Sequence, residues 1–331
     1  MISISYMKTI MISGGAGYLG TSLTIELIKK YKVVVYDKFY FPWLLENKTK
    51  LKNKENISFI KKDISEVNKN DFKNIDIVCD LNGISNDPSS EIDSKHTWKI
   101  NYFYRLKFAK FAKSAGVKRY IFNSTCSVYG FNKKKVFENS KKRPISTYAK
   151  ANFKAESKIF SLRNKNFKVN SLRNSTLFGF SNVMRLDLVI NIFVLNLSKK
   201  KNIFIDGDGN QYRPFISIKD ICKVYDIIIK KKNMPSFICN LVSFNSKIND
   251  LALKISKILK IDKKLIKFKK QFSDKRNYLV GSRNFHKYFG KNFKFSTFRN
   301  EIKILKKNIS KYKIKVDQNT IRMKFYKKKL I

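Results

Sequence analysis

The stretch ISGGAGYLG, residues 12–20, follows the apolar run KTIMIS and opens a helical pattern. Gly14, Gly17 and Gly20 recur every three residues. Glycine at these positions permits a tight turn, lets backbone amides approach a diphosphate and lets the helix lie close to the strand. The second strand, KVVVYD, ends at Asp37, where a carboxylate can accept hydrogen bonds from an adenosine ribose. Together these features point to a dinucleotide held by Gly14, Gly17, Tyr18, Leu19 and Gly20, with Asp37 on the ribose. A carboxylate there repels a 2′-phosphate, which favours NAD over NADP; Lys38 beside it pulls the other way.

Beyond the glycine turn, apolar runs alternate with helical patterns: KTIMIS, KVVVYD, ISFIKKDI, IDIVCDLN, a long helix across 94–115, RYIFNST, and a helix from about 147. Near-continuous apolar strands separated by helices read as a parallel sheet covered on both faces. The expected fold is therefore α/β, a Rossmann-type doubly wound parallel sheet with a smaller C-terminal α/β substrate lobe. The expected division is a dinucleotide-binding domain over 7–170, a lobe over 171–308 partly interleaved with the sheet, and a basic extension over 309–331. In the lobe, FKVNSLRNSTLFG, NIFID, RPFISI and FICNLVS read as short strands between helices at 186–199, 218–231 and 247–259. The extension ends in KFYKKKLI and reads as an appended helix or solvated tail, with contact to an anionic membrane surface as the alternative.

The formal charge of +47 would ordinarily suggest nucleic acid or an anionic surface as partner. The lysines are spread along the chain, however, as biased codon usage would place them, so charge alone names no partner and nucleic acid is disfavoured. Cysteines 79, 126, 222 and 239 form no CxxC pair, His96 and His286 are the only histidines, and no secretory apolar segment precedes Met7. The expectations are structural cysteines, no metal site and a reducing cytoplasm.

Further motifs follow in order: DI at Asp63 and Ile64, LNGISNDP, NSTCSVYG, TYAKAN, LRNSTLFG and RPFISIKD. With the glycine turn and Asp37, this series resembles the extended short-chain dehydrogenases, specifically the NAD-dependent nucleotide-sugar epimerase/dehydratase family, over roughly residues 8–308. The resemblance implies that Asp63 and Ile64 flank the adenine, that Leu81, Asn82 and Gly83 pass under the cofactor, and that Asn101 supports the central helix. It further implies Thr125 on the reacting sugar oxygen and Tyr148 as acid/base, moving the hydroxyl proton while hydride passes to nicotinamide. Thr176 would line the sugar pocket, with Arg213, Arg276 and, more weakly, Arg185 on the substrate diphosphate, because guanidinium forks suit phosphate. The resemblance allows a homodimer.

Two departures matter. Where the family's 4,6-dehydratases often carry Asp and Glu after the threonine, this chain has Cys126 and Ser127, which disfavours dehydration and leaves epimerase or reductase. Four residues after Tyr148 the family has a lysine that binds the nicotinamide ribose and lowers the tyrosine pKa; here Asn152 stands there. Lys150 and Lys154 do not share that helix position. Bringing a phenol from about 10 to near 7 is worth roughly 4 kcal/mol, so Asn152 should weaken catalysis while still bonding the ribose, and Asn152→Lys should restore the rate. Three readings stand side by side: an epimerase or reductase feeding surface-polysaccharide synthesis, a catalytically weakened NAD-binding regulator or scaffold, and a basic binder of RNA or membrane.

Overall fold

The computed structural model describes residues 7–270 and 277–330. The chain lays down β1 (Thr9–Ser13), β2 (Lys32–Asp37), β3 (Ile57–Lys61), β4 (Ile77–Asp80), β5 (Arg119–Thr125) and β6 (Lys168–Asn174). Then follow β7 (Thr176–Phe178), β8 (Ile203–Asp206), β9 (Tyr212–Ser217), β10 (Phe237–Leu241), β11 (Phe244–Lys247) and β12 (Ile266–Lys269). Seven of these form one sheet in the order β10-β6-β5-β4-β1-β2-β3, and every neighbouring pair runs parallel. The chain winds outward from β1 through β2 to β3, then returns to β4 on the other side. This reversal opens a crevice beyond the carboxyl ends of β1 and β4, where ligands of doubly wound sheets bind.

Burial explains why these segments are strands. Ile10, Met11, Ile12, Val33, Val35, Val78 and Cys79 are 0–1% exposed; β-branched and other apolar side chains on both faces need helices above and below. Those covers include Tyr18–Leu27, Arg105–Ser114, Thr147–Ser161 and Ile218–Lys230. The helix expected across 94–115 has three parts: Ser94–Trp98, a π-helical stretch Lys99–Tyr104, and Arg105–Ser114. Such stretches gather at functional sites, and this one carries buried Asn101.

Two smaller sheets lie outside the main one. β9 lies between β7, parallel to it, and β11, antiparallel to it, while β8 and β12 form a parallel pair. Helices Val189–Ser198 and Ile248–Leu259 accompany these smaller sheets.

The interleaving expected between lobe and sheet is carried by FICNLVS, whose β10 pairs with β6 as the edge of the main sheet; apolar content alone could not say which sheet would bury it. Of the two readings of the extension, the appended helix is the one present. After helix Phe298–Lys311 the chain turns back through Thr320, whose carbonyl accepts a 2.8 Å hydrogen bond from the Leu186 amide, and helix Arg322–Leu330 buries Phe325 against Tyr40 and Phe41. No helix among the described residues is long and apolar enough to cross a membrane.

Candidate active site

The carboxyl ends of the strands open onto a cleft of about 1150 Å³. Its near wall is the glycine turn. Gly14 has φ +70°, and a Cβ there would come within 2.8 Å of the Leu81 carbonyl carbon, so no other residue fits the turn without moving the β4 loop. Its amide is held by the Tyr36 carbonyl at 2.9 Å. Helix Tyr18–Leu27 starts without a side-chain cap, which leaves its first amides for an anion.

Asp37 binds this turn to the second strand. Its carboxylate accepts from the Ala16 amide at 3.0 Å and the Phe39 amide at 2.7 Å. Burial nevertheless raises its pKa, with those amides opposing the shift. Lys38 reaches away to Asp63 at 3.0 Å, so its charge is already engaged. Burial would raise the Asp63 pKa, but bonds from the Ser65 amide and from Lys38 outweigh it and hold the carboxyl below its usual range.

Thr125 ends β5 and caps the short helical turn Cys126–Tyr129. Its oxygen accepts from the Ser127 amide at 3.1 Å, and it lines the same cleft as Tyr148, whose pKa its hydroxyl pulls down. Tyr148 lies in the first turn of helix Thr147–Ser161, capped by Ser146. Burial raises its pKa; the bond from Thr125 and the charges of Arg185 and Arg105 push it back down, while Asp87 pushes it up.

Gly14, Gly17, Tyr18, Leu19, Gly20, Asp37, Lys38, Asp63, Ile64, Leu81, Asn82, Gly83, Thr125, Tyr148, Thr176, Arg185 and Arg213 all line this one cleft. Asn101 stands behind it, accepting from the Ile84 amide at 2.8 Å and donating to the Ile84 carbonyl at 3.0 Å, which fixes the loop at Gly83. Arg185 is clamped to Asp187 at 3.1 and 2.7 Å. Arg213 donates to the Tyr212 carbonyl at 2.8 Å and faces the Tyr278 ring. Arg276 lies outside the described residues.

Asn152 does not line the cleft. It is 2% exposed, donates to the Tyr148 carbonyl at 2.8 Å and accepts from Arg105 at 2.9 Å. The expected bond to the ribose is therefore replaced by bonds inside the protein. Sequence reasoning missed Arg105, whose guanidinium also meets Asp80 at 2.9 Å and the Asn123 carbonyl at 3.0 Å. A buried arginine in a lysine-rich helix left no periodic signal. It also missed Tyr278, Arg322 and Tyr326, which line the cleft from distant segments.

The four cysteines are buried and free. Burial pushes the Cys126 thiol up, so it stands neutral beside Thr125. Among the described residues no three His, Cys, Asp or Glu side chains cluster as metal ligands.

Residues 10–240 match the profile of the NAD dependent epimerase/dehydratase family, and the chain belongs to that family. It is 26% identical over 266 residues to dTDP-D-glucose 4,6-dehydratase of Bos taurus, covering 77% of this chain and 74% of that protein. Among solved structures it superposes on a UDP-N-acetylglucosamine 4-epimerase of Methanobrevibacter ruminantium M1 with a TM-score of 0.81 and 25% identity, over 92% of this chain and 99% of the other. For MoeE5 in complex with UDP-glucose and NAD the TM-score is 0.80 at 20% identity; 92% of this chain accounts for all of that one, so this chain carries residues beyond the shared fold. NAD is the cofactor of the family, and the glycine turn that a Cβ would fill, together with Asp37, fits its diphosphate and ribose.

Proposed function

We propose that this protein is an NAD-dependent epimerase, or a related reductase, acting on a nucleotide sugar. The observation that carries the reading is that Thr125, at the end of β5, and Tyr148 line one cleft with the glycine turn and Arg213, the threonine hydroxyl near enough to pull the phenol's pKa down. Bound NAD would take hydride from a sugar carbon and, in an epimerase, return it. Tyr148 accepts the proton of the reacting hydroxyl and gives it back. Thr125 donates to the same oxygen and fixes its direction. Arg213 offers a fork to the substrate diphosphate, with Thr176 and Arg185 beside the sugar, and Arg276 remains proposed as a further phosphate ligand.

Epimerisation is favoured over dehydration because Cys126 and Ser127 follow Thr125. A neutral buried thiol whose Sγ contacts the Arg173 carbonyl at 3.1 Å cannot supply the acid or base for loss of water. Residues 7–170 with β10 would hold the cofactor and 171–308 the sugar. Service in surface-polysaccharide precursor synthesis, in the cytoplasm and as a homodimer, belongs to the same reading.

The test is incubation with NAD and a panel of UDP- and dTDP-sugars, read by product stereochemistry and mass. An epimer of unchanged mass supports the reading. Loss of water makes the protein a dehydratase. Tight NAD binding with no product from any sugar would favour the regulator or scaffold.

A further inference from the structure

Helix Arg322–Leu330 brings a cation to the cofactor end of the cleft. Arg322 lines the cleft yet is only 3% exposed. Its guanidinium lies on the Phe41 ring at 3.9 Å, and Nη1 donates to the Asn319 carbonyl. Nη2 is buried without a hydrogen-bond partner among the described residues. A buried donor on a charged group is costly to leave unpaired, so an anion belongs there.

The surroundings say which kind. Tyr18, at the start of the glycine-turn helix, and Arg185 both act electrostatically on Arg322, and its neighbour Tyr326 feels Asp37. Arg322 lines the same cleft as Gly14, Gly17, Tyr18 and Asp37. Burial and the like charge of Arg185 bring its pKa down to about 10, against the opposing charges of Tyr326 and Asp187. The helix is anchored independently of any ligand: Phe325 is 5% exposed and packs on Tyr40 and Phe41 with centroids 5.4 and 4.8 Å away.

We propose that Arg322 binds the diphosphate of the dinucleotide, so that the C-terminal helix completes the cofactor site opposite the glycine turn. The inference needs the dinucleotide only and does not depend on the sugar chemistry. Docked aromatics set the position, and the free edge of the guanidinium supplies the bond.

The test compares full-length Arg322→Met and Arg322→Lys with the parent, measuring affinity for NAD, ADP, adenosine and UDP and the melting temperature without ligand. Arg322→Met should weaken NAD and ADP by about tenfold or more, as for a lost charge-assisted bond, and leave adenosine and UDP unchanged. The ligand-free variant should melt at or above the parent, since an unpartnered buried cation is gone. Arg322→Lys should keep part of the affinity. Unchanged NAD binding overturns the proposal. An equal loss for adenosine assigns Arg322 a structural role, and a loss confined to UDP assigns it to the substrate; either overturns it too. Should Arg322→Met fail to fold, the same comparison of NAD with adenosine in Arg322→Lys decides.

Discussion

Arg105 Nη1 donates to Asn152 Oδ1 across 2.9 Å, and neither residue lines the cleft. The asparagine that stands in the family's lysine position is therefore committed to a buried arginine on the neighbouring helix. That arginine is held by Asp80, which also accepts from Tyr120 at 2.8 Å and Ser13 at 3.2 Å. A cation is present near Tyr148, but its charge is largely balanced by Asp80. Its effect on the phenol is a modest pull downward, after burial, the Thr125 bond and the larger charge effects.

This arrangement reverses the expected effect of Asn152→Lys. A lysine there would press an ammonium against the Arg105 guanidinium, with Asp80 already shared. The single variant should lose roughly 2 to 4 kcal/mol of stability and gain no turnover. Adding Arg105→Ala should recover part of that loss, because the two sites are coupled. Urea unfolding of the two singles and the double measures it. If Asn152→Lys is as stable as the parent, the Arg105 contact is not what excludes lysine.

Asp37 has two jobs, and its removal should reveal both. Asp37→Ala deletes the ribose acceptor and also the oxygens that hold the Ala16 and Phe39 amides. NAD affinity should fall by about 1 to 3 kcal/mol, while NADP, freed from repulsion, should fall less or rise. The preference for NAD over NADP should narrow, as calorimetric titration with each would show. Equal affinities in the parent would remove Asp37 as the discriminator.

The glycine turn and Asp37 were legible from local chain geometry, a turn and a strand end, whereas Thr125 and Tyr148 were named only through the resemblance; all of them line one cleft. Asn152 was legible as a departure, but its consequence was not, since Arg105 reaches it from another helix. For β10, apolar content identified a strand without identifying its sheet. Arg322 lay hidden in a basic tail, where one arginine among lysines looks solvated until Phe325 is seen to dock. Residues acting through contacts between distant segments leave no spacing to read.

Alkaline pH should expose the buried phenols. Burial raises the pKa of Tyr18, Tyr36, Tyr120 and Tyr225. With folded values above the unfolded value of about 10, their stabilising effect is fully present below that pH and is lost as pH rises toward the folded values. Deprotonation of lysines relieves some repulsion over the same range and opposes the trend. The melting temperature should drop above about pH 10, with tyrosinate absorbance appearing together with unfolding. Tyr225→Phe, which gives up only a 3.4 Å contact to Asn123, should move that onset upward. Smooth tyrosinate formation in an intact fold would contradict this account.

Tyr148 and Thr125 should fail in different ways. Tyr148→Phe removes the proton acceptor and should cost about two to four orders of magnitude in turnover, with NAD affinity little changed. Thr125→Val keeps the volume but removes the hydroxyl, and with it a bond that lowers the phenol pKa. If the phenol must be deprotonated to accept the sugar proton, activity rises with pH through its pKa. Because burial already raises the phenol's pKa, the comparison is made at fixed pH below about 10, where the rate of each protein should climb with pH and Thr125→Val should lie below the parent throughout. Tyr148→Phe should show no such climb at any pH. A Thr125→Val variant as fast as the parent at every pH would leave Thr125 without influence on the phenol, while full activity in Tyr148→Phe would remove that residue from the reaction.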